Sequence, residues 1–246
     1  MDSQYTIKVS HLVKQFGEFR AVNDISFDVR RGEIFGFLGA NGAGKTTAIK
    51  MLCGLSKPTS GKAEVAGFDV ARDPEQVKLH IGYMSQLFSL YDDLTVWENI
   101  QLFAGIYGLD SKTTKKKGED MLKYLNFSDQ ANTLVRDIPL GWRQKLAFLV
   151  ATIQDPEIVF LDEPTSGVDP VTRRQFWELI YDAVDRGTTI FVTTHYMDEA
   201  EYCNRVSIMV DGRIRAMGSV GELEKQFNAP TMADVFKVVA QTARRQ

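Results

Sequence analysis

Residues Gly39, Ala40, Asn41, Gly42, Ala43, Gly44, Lys45 and Thr46 spell the complete phosphate-loop pattern G-x-x-x-x-G-K-[ST]. They sit between an apolar run, Ile34-Phe35-Gly36-Phe37-Leu38, and a stretch of helix formers from Thr47 to Leu52. Strand, loop and helix in that order are the context the pattern requires. Its glycines let the backbone curl until successive N–H groups point inward, and the following helix adds the positive end of its dipole. A nucleoside triphosphate is the expected ligand. Lys45 would reach the β- and γ-phosphates and the Thr46 hydroxyl would ligate Mg2+, with Thr47 counted among the nucleotide-binding positions.

The remainder of the chain limits what such a loop can serve. A length of 246 residues, 44% hydrophobic and 25% charged, suits one large domain carrying a subdomain. The net charge of −3 offers no global attraction to nucleic acid or anionic lipid. Cys53 and Cys203 match neither a disulfide framework nor a metal-ligand spacing, which fits a reduced, cytoplasmic compartment. The first residues lack the pattern of a signal peptide, and no apolar stretch approaches the ~20 residues needed to span a bilayer. A chain soluble by itself is expected.

Alternating apolar positions from Tyr5 to Val29 predict half-buried antiparallel strands, and turns at Gly61 and Gly67 frame a further short strand, Ala63 to Ala66. Helical spacing in Leu94 to Tyr107 and again in Met121 to Phe127 makes residues 87–153 read as mainly helical. Ile158 to Leu161 and Thr189 to Thr193 suit buried parallel strands, with a helix over Val171 to Val184 between them. That alternation signals an α/β core. Lys115-Lys116-Lys117, the strongest charge run, reads as a solvated helix face or loop.

The strand Ile158 to Leu161 ends in two carboxylates, the form of a Walker B element. Asp162 would hold Mg2+, and Glu163 would orient and polarise the attacking water. From Asp162 to Pro170 the chain reads Asp-Glu-Pro-Thr-Ser-Gly-Val-Asp-Pro. This run resembles the Walker B element and D-loop of ATP-binding cassette ATPases, and the resemblance extends along nearly the whole chain. It implies a P-loop NTPase (RecA-like) core with a small antiparallel β subdomain and an inserted helical subdomain. Residues 1–246 would form a single ATPase domain, with the core at about 1–86 and 154–246 and the helical subdomain at about 87–153. ATP and Mg2+ are the implied cofactors. Gln86 falls at the Q-loop position, where it would contact Mg2+ or the attacking water, and His195 at the place of a switch histidine facing the γ-phosphate. Phe16 would stack on adenine, with Phe19 as the competing candidate. Gly141 and Asp169 would act across a dimer, on the nucleotide held by a second subunit.

The signature segment departs from the family. Where such ATPases carry Leu-Ser-Gly-Gly-Gln, this chain reads Ile138-Pro139-Leu140-Gly141-Trp142-Arg143-Gln144, keeping only Gly141 of the Ser-Gly-Gly core. Pro139 offers neither a hydroxyl nor an N–H, though proline suits the first turn of a helix. The N–H groups of Leu140, Gly141 and Trp142 and the charge of Arg143 are expected to remain. Each lost donor would cost about 1–3 kcal/mol, so slowed rather than absent hydrolysis is expected.

Three function classes compete. A transporter ATPase subunit would pair with separate membrane-spanning permease subunits and lie on the cytoplasmic face of the membrane. It would close as a homodimer, or with a related ATPase subunit, on binding ATP. Aromatic residues of the segment Leu87 to Glu98 (Phe88, Tyr91, Trp97) would suit the permease interface, or in the case of Trp97 the subdomain core. The acidic run and the tail Met232 to Phe236 look most like exporters of the multidrug or polysaccharide and lipid type. A soluble cassette ATPase acting on nucleic acid or ribosomes is the alternative, but no basic stripe for phosphate contacts is visible and no nucleic-acid partner is expected. A small-molecule kinase would share the phosphate loop without needing Asp169.

Overall fold

Two twelve-residue segments with alternating burial pair as an antiparallel hairpin, β1 (Tyr5–Phe16) and β2 (Phe19–Arg30). The computed structural model describes residues 4–86 and 90–243. The chain continues through β3 (Ile34–Leu38), α1 (Lys45–Leu52), β4 (Ser60–Val65), β5 (Phe68–Asp69), α2 (Pro74–His80) and β6 (Ile81–Met84). Then follow α3 (Val96–Ile106), α4 (Ser111–Tyr124), α5 (Leu140–Ala151), β7 (Ile158–Asp162), α6 (Pro170–Asp185) and β8 (Thr189–Thr194). The chain closes with β9 (Arg205–Val210), β10 (Arg213–Gly218), α7 (Val220–Phe227) and α8 (Met232–Ala243).

Among the described residues the strands form two sheets, one ordered β2-β1-β4-β5 and antiparallel, the other ordered β10-β9-β3-β8-β7-β6. The second sheet is parallel from β9 to β6, with β10 as an antiparallel edge. Its central strands β3, β7 and β8 are buried at every position, as parallel strands covered on both faces must be. The two-residue period divides them between two cores. Phe35, Phe37, Ile158, Phe160 and Phe191 face the antiparallel sheet, while Val159, Leu161, Ile190 and Val192 face the helices. On the first side Phe191 is the hub of an aromatic cluster, its ring centroid 5.3 Å from Phe37 and 5.4 Å from Phe160.

The connection from β6 to β7 carries α3, α4 and α5. Thr95 starts α3 with a capping box, its hydroxyl accepting from Glu98 N while the Glu98 carboxylate accepts from Thr95 N. Buried Asn99 then ties down the preceding loop, accepting from Tyr91 N at 2.8 Å and donating to the Tyr91 and Thr95 carbonyls at 3.0 Å each. Trp97 packs into the core of this segment, where a Cβ on Gly118 would fall 2.6 Å from its ring. Trp97 is partly buried, with one side against this core and the other lining a surface cavity beside Leu109 and Leu122. Lys115 and Lys117 meet Glu119 and Asp155, so the lysine run lies on a helix as a solvated, partly paired face.

Candidate nucleotide site

Register places the candidate residues at one end of the parallel sheet. Leu38 of β3 pairs with Thr194 of β8, and Asp162 of β7 pairs with Thr193, so the residues following β3, β7 and β8 emerge side by side beyond the strand C-termini.

After Leu38 the loop turns into α1 through Gly44, whose φ of 106° lies in the left-handed region. A Cβ there would fall 2.2 Å from the Ala21 carbonyl oxygen of β2, so glycine is needed both for conformation and for the close approach of the hairpin. Ala43 N donates to the Ala40 carbonyl at 3.1 Å, closing the turn; Ala40, Asn41 and Gly42 are exposed at its tip, while Gly39 and Ala43 are buried. Lys45 is buried and folds back over the loop, donating to the Gly39 carbonyl at 2.8 Å and the Ala40 carbonyl at 3.2 Å. Thr47 is half-buried in the first turn of α1.

Thr46 Oγ1 donates to Asp162 Oδ1 at 3.3 Å. Among the described residues no three His, Cys, Asp or Glu side chains cluster as a metal site. One hydroxyl beside one carboxylate nevertheless fits Mg2+, which takes few protein oxygens and fills its octahedron with water and phosphate.

Glu163 is the meeting point. Its Oε1 lies 3.1 Å from Lys45 Nζ, and its Oε2 accepts from Gln86 Nε2 at 3.1 Å. The same Oε2 is 2.9 Å from His195 Nδ1; with the carboxylate oxygen as acceptor, Nδ1 is the donor and Nε2 is left for a second partner. The histidine ring lies tilted by 36° against Tyr196 with centroids 4.1 Å apart, and the Arg173 guanidinium lies 4.1 Å from the Tyr196 centroid. Glu163 itself has φ 51°, a left-handed backbone that costs a non-glycine residue about 1–2 kcal/mol. A cavity of about 220 Å³ runs from Gln86 and Glu163 to Asp92 and Arg143, joining the carboxylate to the helical segment.

Gly141 and Asp169 lie together elsewhere, on a surface pocket whose lining contains no phosphate-loop residue. A Cβ on Gly141 would strike the Thr172 methyl at 2.4 Å, and Thr172 in turn caps onto Asp169, which accepts from the Val171 and Thr172 amides at 3.0 Å each. The Thr172 hydroxyl and amide, followed by the Val171 amide, hold the Asp169 carboxyl below the usual range. Pro139 stands at the N-cap of α5, just outside the helix, not in its first turn. Two expectations for this segment are corrected. The Trp142 N–H is engaged by the Pro139 carbonyl at 3.0 Å, leaving Leu140 and Gly141 as the candidate backbone donors. Arg143 turns inward, donating to the Ile138 carbonyl at 2.8 Å and to the Arg136 carbonyl, because those loop oxygens lie within its reach.

Phe16 and Phe19 are both exposed at the tip of the first hairpin and face each other across it, with Lys14 Nζ 5.1 Å from the Phe16 ring centroid. The alternative of an aromatic packed within the small sheet is therefore not observed. In the segment expected to receive a partner, Tyr91 is exposed with its ring centroid 6.2 Å from that of Phe103, while Phe88 lies outside the described residues. Cys53 is buried behind the loop, and burial followed by the Asp162 charge pushes its thiol well up, so it stays protonated.

Thr193 is the site residue that pattern reading passes over. Its hydroxyl reaches Asp162 Oδ1 at 2.7 Å and accepts from Glu163 N at 3.0 Å. The available signal was a pair of adjacent threonines following the apolar run Ile190 to Val192 at the end of β8.

Residues 22–166 match the ABC transporter family model. The chain is 46% identical over 235 residues to the "Probable multidrug ABC transporter ATP-binding protein YbhF" of Escherichia coli, an alignment that takes in 94% of this chain and 41% of that protein. It is 37% identical to the Nod factor export ATP-binding protein I of Ralstonia nicotianae, covering 88% of this chain and 68% of that one. The chain thus spans about two-fifths of YbhF and two-thirds of the Nod factor protein. A solved ATP-binding subunit of an ABC transporter superposes with a TM-score of 0.86 at 26% identity, covering 95% of this chain and 99% of its own. The chain belongs to the ABC transporter family, with its P-loop NTPase fold.

Proposed function

We propose that this chain binds and hydrolyses ATP with Mg2+ to energise export through a separate membrane-spanning permease. The observation that carries the proposal is the convergence of Lys45, Gln86 and His195 on the single carboxylate of Glu163, beside Thr46 and Asp162. In this reading the loop amides and Lys45 hold the phosphates, and Thr46 and Asp162 hold Mg2+, which would neutralise charge on the transferred phosphoryl group. Glu163 orients water for in-line attack at the γ-phosphorus and takes its proton as the bond to the leaving diphosphate breaks. Gln86 and His195 hold the Glu163 carboxylate, while Lys45 leaves it for the phosphates when nucleotide binds. Phe16 stacks on adenine.

A second subunit completes the site. Gly141 and Asp169 share a face that includes no residue of their own phosphate loop, which suits contacts to the nucleotide of a partner copy or a related ATPase subunit. Division into a core (about 1–86 and 154–246) and a helical subdomain (about 87–153) belongs to the same proposal. Among the described residues no helix is long and apolar enough to cross a membrane, in keeping with attachment through a permease. The relatives reported above are named for multidrug transport and for export, which favours transport over work on nucleic acid or ribosomes.

Copurification of the tagged chain from native membranes tests this function. Recovery of a multi-span protein with Mg2+-dependent ATP turnover is expected. Repeated recovery of ribosomes or nucleic acid alone would overturn it.

A further inference from the structure

Thr193 is the fifth residue of β8 and wholly buried. A valine would fill the same volume in this strand, so the hydroxyl needs a reason. It has two partners: Asp162 Oδ1 at 2.7 Å and the backbone N–H of Glu163 at 3.0 Å. The amide N–H donates to the hydroxyl oxygen, which leaves the hydroxyl proton for Asp162 Oδ1. One oxygen atom therefore ties together the two consecutive carboxylate residues of the site.

Both ties fall where the geometry is demanding. Asp162 Oδ1 also receives the Thr46 hydroxyl at 3.3 Å, so Thr193 and Thr46 together fix how this carboxylate is presented. Glu163 holds a left-handed φ of 51°, and its N–H is shared between the Thr193 carbonyl at 3.2 Å and the Thr193 hydroxyl. Strained backbone persists where its surroundings over-determine it, and Thr193 supplies both acceptors. Thr193 and His195 also leave β8 two residues apart, one bonded to the Glu163 backbone and the other to its carboxylate.

Given the ATPase function proposed above, on which this inference rests, we propose that Thr193 is a positioning residue that sets the metal-holding carboxylate of Asp162 and the water-orienting carboxylate of Glu163 in register. Its hydroxyl is spent on the two acidic residues, and it acts through them.

Thr193→Val and Thr193→Ser separate this role from simple packing. Valine keeps the volume and removes the hydroxyl, whereas serine keeps the hydroxyl and opens a methyl-sized gap. With Mn2+ as the probe on the ADP-bound full chain, electron paramagnetic resonance should show affinity about tenfold weaker in Thr193→Val and within about twofold of wild type in Thr193→Ser. Turnover should follow the same order, with kcat about ten- to a hundredfold lower in Thr193→Val and KM for ATP little changed. The melting temperature should fall in Thr193→Ser, from the methyl-sized gap, while metal affinity and turnover stay near wild type. Wild-type Mn2+ affinity in Thr193→Val, or an equal loss in Thr193→Ser, would overturn the proposal whether or not the chain turns over ATP. A wild-type chain with no Mg2+-dependent turnover in its complex would instead overturn the ATPase function and leave the Mn2+ comparison to decide the role of Thr193.

Discussion

Lys45 Nζ lies 3.1 Å from Glu163 Oε1, and both groups are buried. The strand order brings the two together across 118 positions of sequence, because β3 and β7 both flank β8. Under the proposed function the cation meant for phosphate is here paired with the carboxylate meant for water. Nucleotide binding would then draw Lys45 away from Glu163, coupling occupancy of the loop to release of the carboxylate.

Lys45→Met should weaken ATP binding about ten- to a hundredfold, the equivalent of losing one or two charge-assisted hydrogen bonds. Titration with a fluorescent ATP analogue measures this. Wild-type affinity would remove Lys45 from the phosphate site.

Gly44→Ala should destabilise the fold. The new Cβ would meet the Ala21 carbonyl at 2.2 Å with φ at 106°, and strain of about 1–3 kcal/mol is expected. For a domain of this size that corresponds to a fall of roughly 2–12 °C in melting temperature, read by calorimetry.

The Asp169 carboxyl is held below its ordinary value by Thr172 and the start of α6. A depressed folded pKa contributes stability above the ordinary carboxylate value, about 3.9, and loses it as pH falls through the folded value. The stability deficit of Asp169→Ala in urea should therefore be greatest at neutral pH, hold to about pH 5, and shrink progressively below about pH 4. A deficit that is flat with pH would assign the loss to something other than the charge.

Pro139→Ser combined with Leu140→Gly restores the hydroxyl and the small residue that the family carries in its signature. Turnover of the assembled complex should rise, by about tenfold if the serine donor acts in the transition state. An unchanged rate would show that these two positions do not limit the chemistry.

Legibility in the sequence followed locality. The phosphate loop and the strand ending in Asp162 and Glu163 are contiguous, so residue order alone exposes them, and β1, β2 and α6 announce themselves by period. The last strands β9 and β10 and the helices α7 and α8 do not, since their burial depends on packing against one another, around Leu38 and Leu223. Trp97 has equal reasons to sit in a core or at an interface, and only the structure shows Gly118 beneath one side of it. Thr193 is hidden for the same reason: in a buried strand a threonine looks like a valine until its hydroxyl is found against Asp162.

Glu163→Gln tests the composite ATPase site most directly. The amide keeps the size of the carboxylate but cannot take a proton from water, so the chain should bind ATP, lose at least a hundredfold in turnover, and remain closed on a second copy. Light scattering under saturating Mg2+-ATP should give twice the 27.7 kDa mass of one chain. A monomer under those conditions, with ATP bound, would contradict the two-subunit site.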